Sequence, residues 1–300
     1  MEAHVGEATA HRGRISLLPP LSAVEEAGQR ALTFVAVLAG LVGLWEAYKW
    51  VWERFDISWP FEVNGRTLPH TYDIVGQLFE PAQRNGPLLI SVLWDAARFT
   101  GKEAAAGFAL GAMVGFTLGV ALAQSKLLQR GFLPYVVGSQ TIPILAIAPM
   151  VVVWLGAHGA EPWVSVAVIS AYLTFFPVTI NTLRGLLSTD PRALELMRSY
   201  AAGRWRTLWR LRVPTSLPYL FSALKIAAPA SVVGAIIGEL PSSIQDGLGG
   251  AIINFNQYYI TSPESLWATN LVAALLGIGF FLVVVVAERI VVRRAPEHVA

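Results

Sequence analysis

The chain contains no cysteine, which removes a disulfide framework, thiol catalysis and thiolate metal sites together. Charge is equally scarce. Asp, Glu, Lys and Arg make up 14% of the 300 residues, against about 25% in an ordinary soluble domain. The net charge of +2 is spread too thinly to read as a nucleic-acid surface. The five histidines, His4, His11, His70, His158 and His298, are too far apart for a ligand pair at helical spacing, and no HExxH occurs; the pattern argues against a metalloenzyme. No GxxxxGK[ST] occurs either, because the nearest Gly-Lys, Gly101-Lys102, lacks the preceding glycine. A phosphate-cradling loop is therefore missing. Internal repeats and low-complexity runs are absent too. What is present is hydrocarbon: 54% apolar residues and a mean hydropathy of +0.53, the composition of an all-α integral membrane protein.

A spanning helix needs about 20 mostly apolar residues, because each backbone N–H and C=O must find its partner inside lipid. Six stretches meet that length: Ala31–Val51, Ala104–Ala123, Phe132–Leu155, Pro162–Leu183, Leu217–Glu239 and Leu266–Ala287. Residues 1–30 carry Glu2, Glu7, Glu25 and Glu26 and no cleavage pattern after an apolar core, so they read as a cytosolic tail and not as a signal peptide. Orientation follows from Lys and Arg in the short loops. Arg184, Arg192, Arg198, Arg204, Arg206, Arg210 and Arg212 crowd the connection between spans four and five, which places that loop, both termini and the short 295–300 tail in the cytosol. Residues 52–103 are then external, with Ile74, Val75, Leu78 and Phe79 forming one short amphipathic helix. If the second helix starts as early as Leu88, Asp95 and Arg98 can pair at i and i+3.

Gly107, Gly111, Gly115 and Gly119 recur every four residues in span two, leaving one helix face almost without side chains and open to close backbone approach. The pattern fits packing inside the subunit and a dimer seam alike. Pro134, Pro143 and Pro149 in span three and Pro229 in span five remove backbone donors and kink helices. A kink in lipid has to be covered by protein or to line a water-filled passage. Pro143, Pro149, Asn181, Pro229 and Glu239 are the candidates for such a passage, Glu239 because a carboxylate at the membrane edge is a functional candidate by default. Lys225 is expected to snorkel to the cytosolic interface.

The most specific stretch is Ser188–Pro214. Thr189 or Asp190 caps a helix opening at Pro191, the Ala202-Gly203 step ends it, and Arg204–Arg212 forms a second short helix that stops at Pro214. Leu194, Met197 and Ala201 share one side of the first helix, and Trp205 and Trp209 stand at i and i+4 on the second. An Arg- and Trp-rich pair of this kind suits either lipid headgroups or a protein partner.

This loop resembles the hallmark of the permease subunits of binding-protein-dependent ABC importers, which reads Glu-Ala-Ala, then Gly, then an aliphatic residue and Leu-Pro. Glu195 matches the first position, Leu211 the aliphatic one and Val213-Pro214 the closing pair; Leu196 and Met197 replace the alanines and Ala201 the glycine. The likeness runs from about Gly40 to Arg294. Leu68-Pro69, the glycine ladder, Thr141-Ile142-Pro143 with Ala148-Pro149, Trp154-Leu155-Gly156 and Gly247-Leu248-Gly249 are similar to the branch importing nitrate, sulfonates, taurine and pyrimidine or flavin vitamin precursors. Leu224–Ala227 and Gly234–Glu239 are most similar to the hydroxymethylpyrimidine and riboflavin permeases.

The resemblance implies a MetI-like type I ABC importer permease fold of six transmembrane helices, with a domain over 31–294 and a coupling loop over 188–214. It implies a second copy of the chain, two cytosolic ATPase subunits that bind ATP and Mg, an external solute-binding protein and a bacterial inner membrane, with no cofactor, metal or nucleic acid in this chain. Coupling to the ATPase falls to Glu195, Met197, Ala201, Trp205, Trp209, Leu211 and Pro214. Two alternatives stand beside it: an ion-gradient transporter with Glu239 or Glu46 as proton site, and a membrane enzyme using Glu239 and Asp246 as acid and base.

Overall fold

The computed structural model describes residues 21–55, 63–83, 85–242 and 244–292, and every regular element among them is helical. Of the tail expected over residues 1–30, residues 1–20 lie outside the described residues and 21–30 are already helical, as the start of α1; the tail over 295–300 lies outside the described residues. The chain divides into two units at Thr71. The first contains α1 (Leu21–Phe55) and the segment that follows it. There Glu46 accepts the Thr71 N–H (2.8 Å) and hydroxyl (2.7 Å) and lies 2.6 Å from His70 Nδ1, while Trp45 Nε1 donates to the Pro69 carbonyl at 3.1 Å.

The second unit opens at Tyr72, within α2 (Thr71–Gln77), which with the residues after it buries Ile74 and Leu78 and exposes Val75 and Phe79, as an amphipathic turn should. Its core is three long helices, α3 (Leu89–Gln124), α6 (Pro162–Leu187) and α9 (Val213–Ser242), with α6 packed between the other two. α11 (Pro263–Val292) lies along α9, and the short α10 (Leu248–Gln257) touches α3, α9 and α11. Outward side chains such as Leu41 and Leu44 on α1 and Ile278, Val283 and Ile290 on α11 are exposed. In water such a surface would drive aggregation; against lipid it matches its solvent.

Glycine decides how close the core helices come. A Cβ on Gly111 would stand 2.6 Å from the Ala171 carbonyl oxygen and 2.6 Å from Thr174 Cβ, one on Gly115 2.5 Å from the Phe175 oxygen, and one on Gly119 2.7 Å from Thr182 Cβ. The ladder is thus filled by α6 of the same subunit, which resolves the choice the sequence left open. Ser170 of α6 is pinched from both sides, by Gly107 of α3 and by Gly234 of α9, whose Cβ would meet Ser170 Cα at 2.7 Å. Its buried hydroxyl donates to the Ser231 carbonyl at 2.8 Å.

Four sequence expectations need revision. α3 begins at Leu89 and not at Ala104, so Asp95, Arg98 and Glu103, placed in an external 52–103 segment, belong to a helix long and apolar enough to cross a membrane. Arg98 and Asp95 stand 4.0 Å apart, both exposed, a pair worth little by itself. The third span is two helices, α4 (Lys126–Gly138) and α5 (Ile144–Ala157), bent by 99°. Pro143 is responsible: it forces Ile142 into extended backbone (φ −83°, ψ 121°), and a short 3₁₀ turn, Ser139–Thr141, precedes the break. The freed carbonyls find hydroxyls, with Tyr172 donating to Ser139, Ser139 to Val136 (2.7 Å) and Thr141 to Gly138 (2.7 Å). Counting the bent pair as one span gives six.

The third revision concerns Arg204–Arg212, which does not stop at Pro214. α8 (Arg204–Thr207) passes through a π-helical turn, Leu208–Arg212, directly into α9. Pro214 directly follows the π turn, whose wider hydrogen-bond spacing absorbs the register change at the missing N–H. Finally, Lys225 does not snorkel. Its Nζ reaches both Glu288 oxygens of α11, at 3.0 and 2.9 Å, because an intramembrane cation is satisfied more cheaply by a partner helix than by stretching to the interface.

Candidate functional site

The loop after α6 is a built elbow. Asp190 is the N-cap of α7 (Pro191–Ser199), accepting the Arg192 N–H at 2.8 Å, with Pro191 at the first helical position. The helix closes in a Schellman arrangement: Ala202 N–H donates to the Met197 carbonyl (2.9 Å) and Ala201 N–H to that of Arg198 (2.9 Å). Ala201 sits at the left-handed position of this motif with φ +48°, the conformation that glycine adopts freely and an L-residue pays for with a Cβ clash. That is the physical reason why the hallmark has glycine where this chain has alanine.

The elbow is fixed to the bundle on one side and bare on the other. Leu208 is buried, and Thr189 donates to the Leu186 carbonyl while meeting Thr215 at 3.3 Å. Outward stand Leu196 (57% exposed), Tyr200 (74%), Trp205 (70%) and Trp209 (54%). Glu195 and Pro214 are exposed as well, whereas Met197 and Leu211 are half-buried and act as supports. Four large apolar side chains thus stand exposed on a short capped helix pair, an unusual concentration of uncovered apolar surface.

A second polar centre lies in the core, and the sequence pointed to only half of it. Glu239 is completely buried. Thr100 Oγ1 donates to one of its oxygens at 2.6 Å, Gly249 N–H donates to the other at 2.5 Å, and Leu248 N–H donates to Thr100 Oγ1 at 2.8 Å. The first two amides of α10 are thereby capped by side chains from α3 and α9, a remote version of the local N-cap. Gly247 and Gly249 lack a Cβ for this reason, since one on Gly249 would lie 2.7 Å from Glu239 Cβ and 2.8 Å from the Ile236 carbonyl. Glu103, 3% exposed, lies against Glu239, and neither of its oxygens receives an N–H or O–H from another described residue. Glu239 was expected to line a passage; its observed partners are those of a cap. Asp246 does not share this contact, so the acid–base pair considered from sequence is not assembled.

The remaining candidates fall elsewhere. Asn181 donates to the Pro177 carbonyl of its own helix at 2.9 Å, Pro149 stands inside α5, and Pro229 faces Gly277 of α11 across an apolar groove. Glu46, considered as a proton site, has both oxygens engaged by His70 and Thr71. Thr100 and Glu103 had no signal in the sequence beyond being polar residues in an apolar helix. Reading α3 back to Leu89 would have placed them on the ladder helix, Glu103 one turn and Thr100 two turns before Gly107.

Comparison with known proteins agrees with this geometry. Residues 111–295 match the family model described as binding-protein-dependent transport system inner membrane component. The chain is 36% identical over 186 residues to a formylaminopyrimidine transport permease protein of Halalkalibacterium halodurans, covering 61% of this chain and 71% of that protein. It is 29% identical to a riboflavin transport system permease protein of Chloroflexus aurantiacus, covering 67% and 73%. A solved structure described as an amino acid ABC transporter with histidines superposes with a TM-score of 0.55 at 14% identity, covering 67% of this chain and 94% of that one, which speaks to the fold alone. With the long apolar helices, the elbow and the family match in agreement, the chain belongs to the inner membrane components of binding-protein-dependent transport systems, as a multi-pass ABC importer permease.

Proposed function

We propose that the α7–α8 elbow is the surface through which a separate ATPase subunit drives this permease, and that a pair of such chains forms the passage for a small solute handed over by an external binding protein. The observation that carries the proposal is the exposed set Leu196, Tyr200, Trp205 and Trp209 on a hinge whose other face is anchored by Leu208 and Thr189. Because α8 runs without a break into α9, a push on the elbow is delivered to a core helix along its axis. Docking energy spent on one of two arrangements of the elbow shifts the population of the whole bundle. ATP and Mg belong to the partner, this chain having no phosphate loop of its own. The arginine-rich elbow supports a cytosolic side for that face and for both termini. The relatives named for formylaminopyrimidine and riboflavin transport favour a vitamin-type heteroaromatic solute over a sulfonate or nitrate. Relatives of this kind lend the ion-gradient alternative no support.

The test is Ala201→Arg. Ala201 is exposed at the tip of the elbow and already left-handed, so arginine adds bulk and charge to the docking face without disturbing the core. Pull-down of the ATPase and solute uptake into vesicles should both fall at least about tenfold, the loss expected for a charge set into a desolvated interface, while the amount of folded chain is unchanged. Retention of both at the unmodified level overturns the docking role.

A further inference from the structure

Beside the elbow, on its inner side, lies a cavity of about 930 Å³, at the upper end of the range of small-ligand sites. We infer that it is a binding site for a phosphate-class anion, and that the headgroup of an acidic phospholipid fills it.

Its lining is one-sided in charge. Lys126 from the start of α4, Arg198 from α7, Arg204 from α8 and Arg212 from the π turn converge on it with Gln124 and Gln129, and no Asp or Glu contributes. The acids of the elbow, Asp190 and Glu195, lie outside the lining, and none of the four cations has a carboxylate partner among the described residues. Arg212 carries the clearest mark, because its Nε is buried and has no hydrogen-bond acceptor. A buried guanidinium nitrogen left unpaired is costly, and an anion oxygen removes that cost.

The cavity also borders the N-terminus of the 13-residue α4, where Ser125 caps one amide and the others of the first turn are left with the positive end of the helix dipole. Three arginines, a lysine and a helix terminus exceed what one carboxylate needs and suit the several oxygens of a phosphate, which arginine meets with paired N–H donors. Two features favour lipid as its source. The site lies at the end of α3, where an apolar helix long enough to cross a membrane turns into α4 through the polar residues Gln124, Ser125 and Lys126. Leu127 and Leu128, next to Lys126, are exposed (82% and 40%), which gives acyl chains a surface beside the headgroup. The inference uses the lining residues only and not the ATPase reading, so either can fail without the other.

The experiment uses the purified full chain without ATPase, titrated in detergent with phosphatidylglycerol and, separately, with phosphatidylcholine of the same acyl chains. Native mass spectrometry should show retention of phosphatidylglycerol over phosphatidylcholine. Each cation removed should weaken it about fivefold, in Arg198→Gln, Arg212→Gln and the double variant, while Arg198→Lys/Arg212→Lys retains most of the preference. Arg206→Gln, on the same elbow but outside the cavity, should behave as the unmodified chain. Displacement of the lipid by inorganic phosphate, and not by chloride at equal ionic strength, identifies a soluble phosphate as the occupant; failure to displace it identifies the lipid. Equal retention of the two lipids with no phosphate effect overturns the site, as does an Arg206→Gln loss equal to that of the double variant, which would mean diffuse surface charge. Should the double variant not fold, labelling of Arg198, Arg204 and Arg212 by phenylglyoxal in the unmodified chain gives the same answer. Protection in phosphatidylglycerol vesicles but not in phosphatidylcholine vesicles supports the site, and equal labelling in both overturns it.

Discussion

The α3–α6–α9 core and the α7–α8 elbow treat glycine in opposite ways. In the core, Gly107, Gly111, Gly115, Gly119 and Gly234 are present because neighbouring backbone occupies the place of their Cβ; their φ values are ordinary helical ones, and what they supply is space. In the elbow, Ala201 stands at φ +48° with the backbone conformation of glycine and without its freedom, and Gly203, close by, has nothing within 4 Å of its absent Cβ. The core is therefore limited by packing distance and the elbow by backbone conformation. A substitution in the first propagates through three helices, while a substitution in the second stays local.

The comparison breaks most readily in the core. Gly111→Leu sets a branched side chain against the Ala171 carbonyl and Thr174, and Ser170→Val overfills two interfaces at once while leaving the Ser231 carbonyl without its donor. Each should destabilise the subunit by about 3 kcal/mol or more, seen as loss of folded chain on size exclusion and a lowered thermal midpoint. A native midpoint for both would refute the close approach of α3 and α6.

Next comes the carboxyl cap. Glu239→Ala strands the Gly249 amide and opens a cavity, costing roughly 2–4 kcal/mol; Glu239→Gln keeps the volume, loses one hydrogen bond and costs about 1–3 kcal/mol. Glu103→Gln should cost nothing measurable or stabilise slightly, because its amide N–H can donate to the Glu239 carboxyl that Glu103 lies against. Hydrogen exchange at the start of α10 reads all three, and a Glu103→Gln loss as large as that of Glu239→Gln would assign Glu103 a separate partner.

The smallest change sharpens the comparison from the other side. Ala201→Gly relieves the left-handed strain and should stabilise the elbow by about 1 kcal/mol, slowing exchange of the Ala201 and Ala202 amides while the core midpoint stays where it is. Asp190→Ala should act in the reverse direction by about 1 kcal/mol, through the lost cap on Arg192. If either variant moved the core midpoint as much as Gly111→Leu does, the two regions would not be separable.

Much of this arrangement can be read from residue order, since its causes are local. Asp190-Pro191 announces the start of α7, Ile142-Pro143 announces a break, and the four-residue glycine period names the face of α3 that meets a neighbour. The extent of that break is not legible, because a proline says where a donor is missing and not that Tyr172, thirty residues on, will satisfy the exposed carbonyl. The merging of α8 with α9 is hidden for a related reason. Pro214 is a stop signal in sequence and is accommodated inside a continuous helix once a π turn precedes it. Lys225 reads as a snorkelling cation until Glu288 of α11 is placed beside it.

By itself the sequence determined that the chain lives in lipid, that it crosses by helices, and that an arginine-rich pair of short helices joins two of them. Those properties follow from composition and from short-range spacing, which act within a few residues. Only the tertiary structure decided which helix fills the glycine ladder, that Thr100 and Glu239 cap α10 from two other helices, and that Lys126, Arg198, Arg204 and Arg212 converge on one cavity. Each of these depends on residues dozens to more than a hundred positions apart meeting in space, and no local rule of backbone or side chain encodes such a meeting.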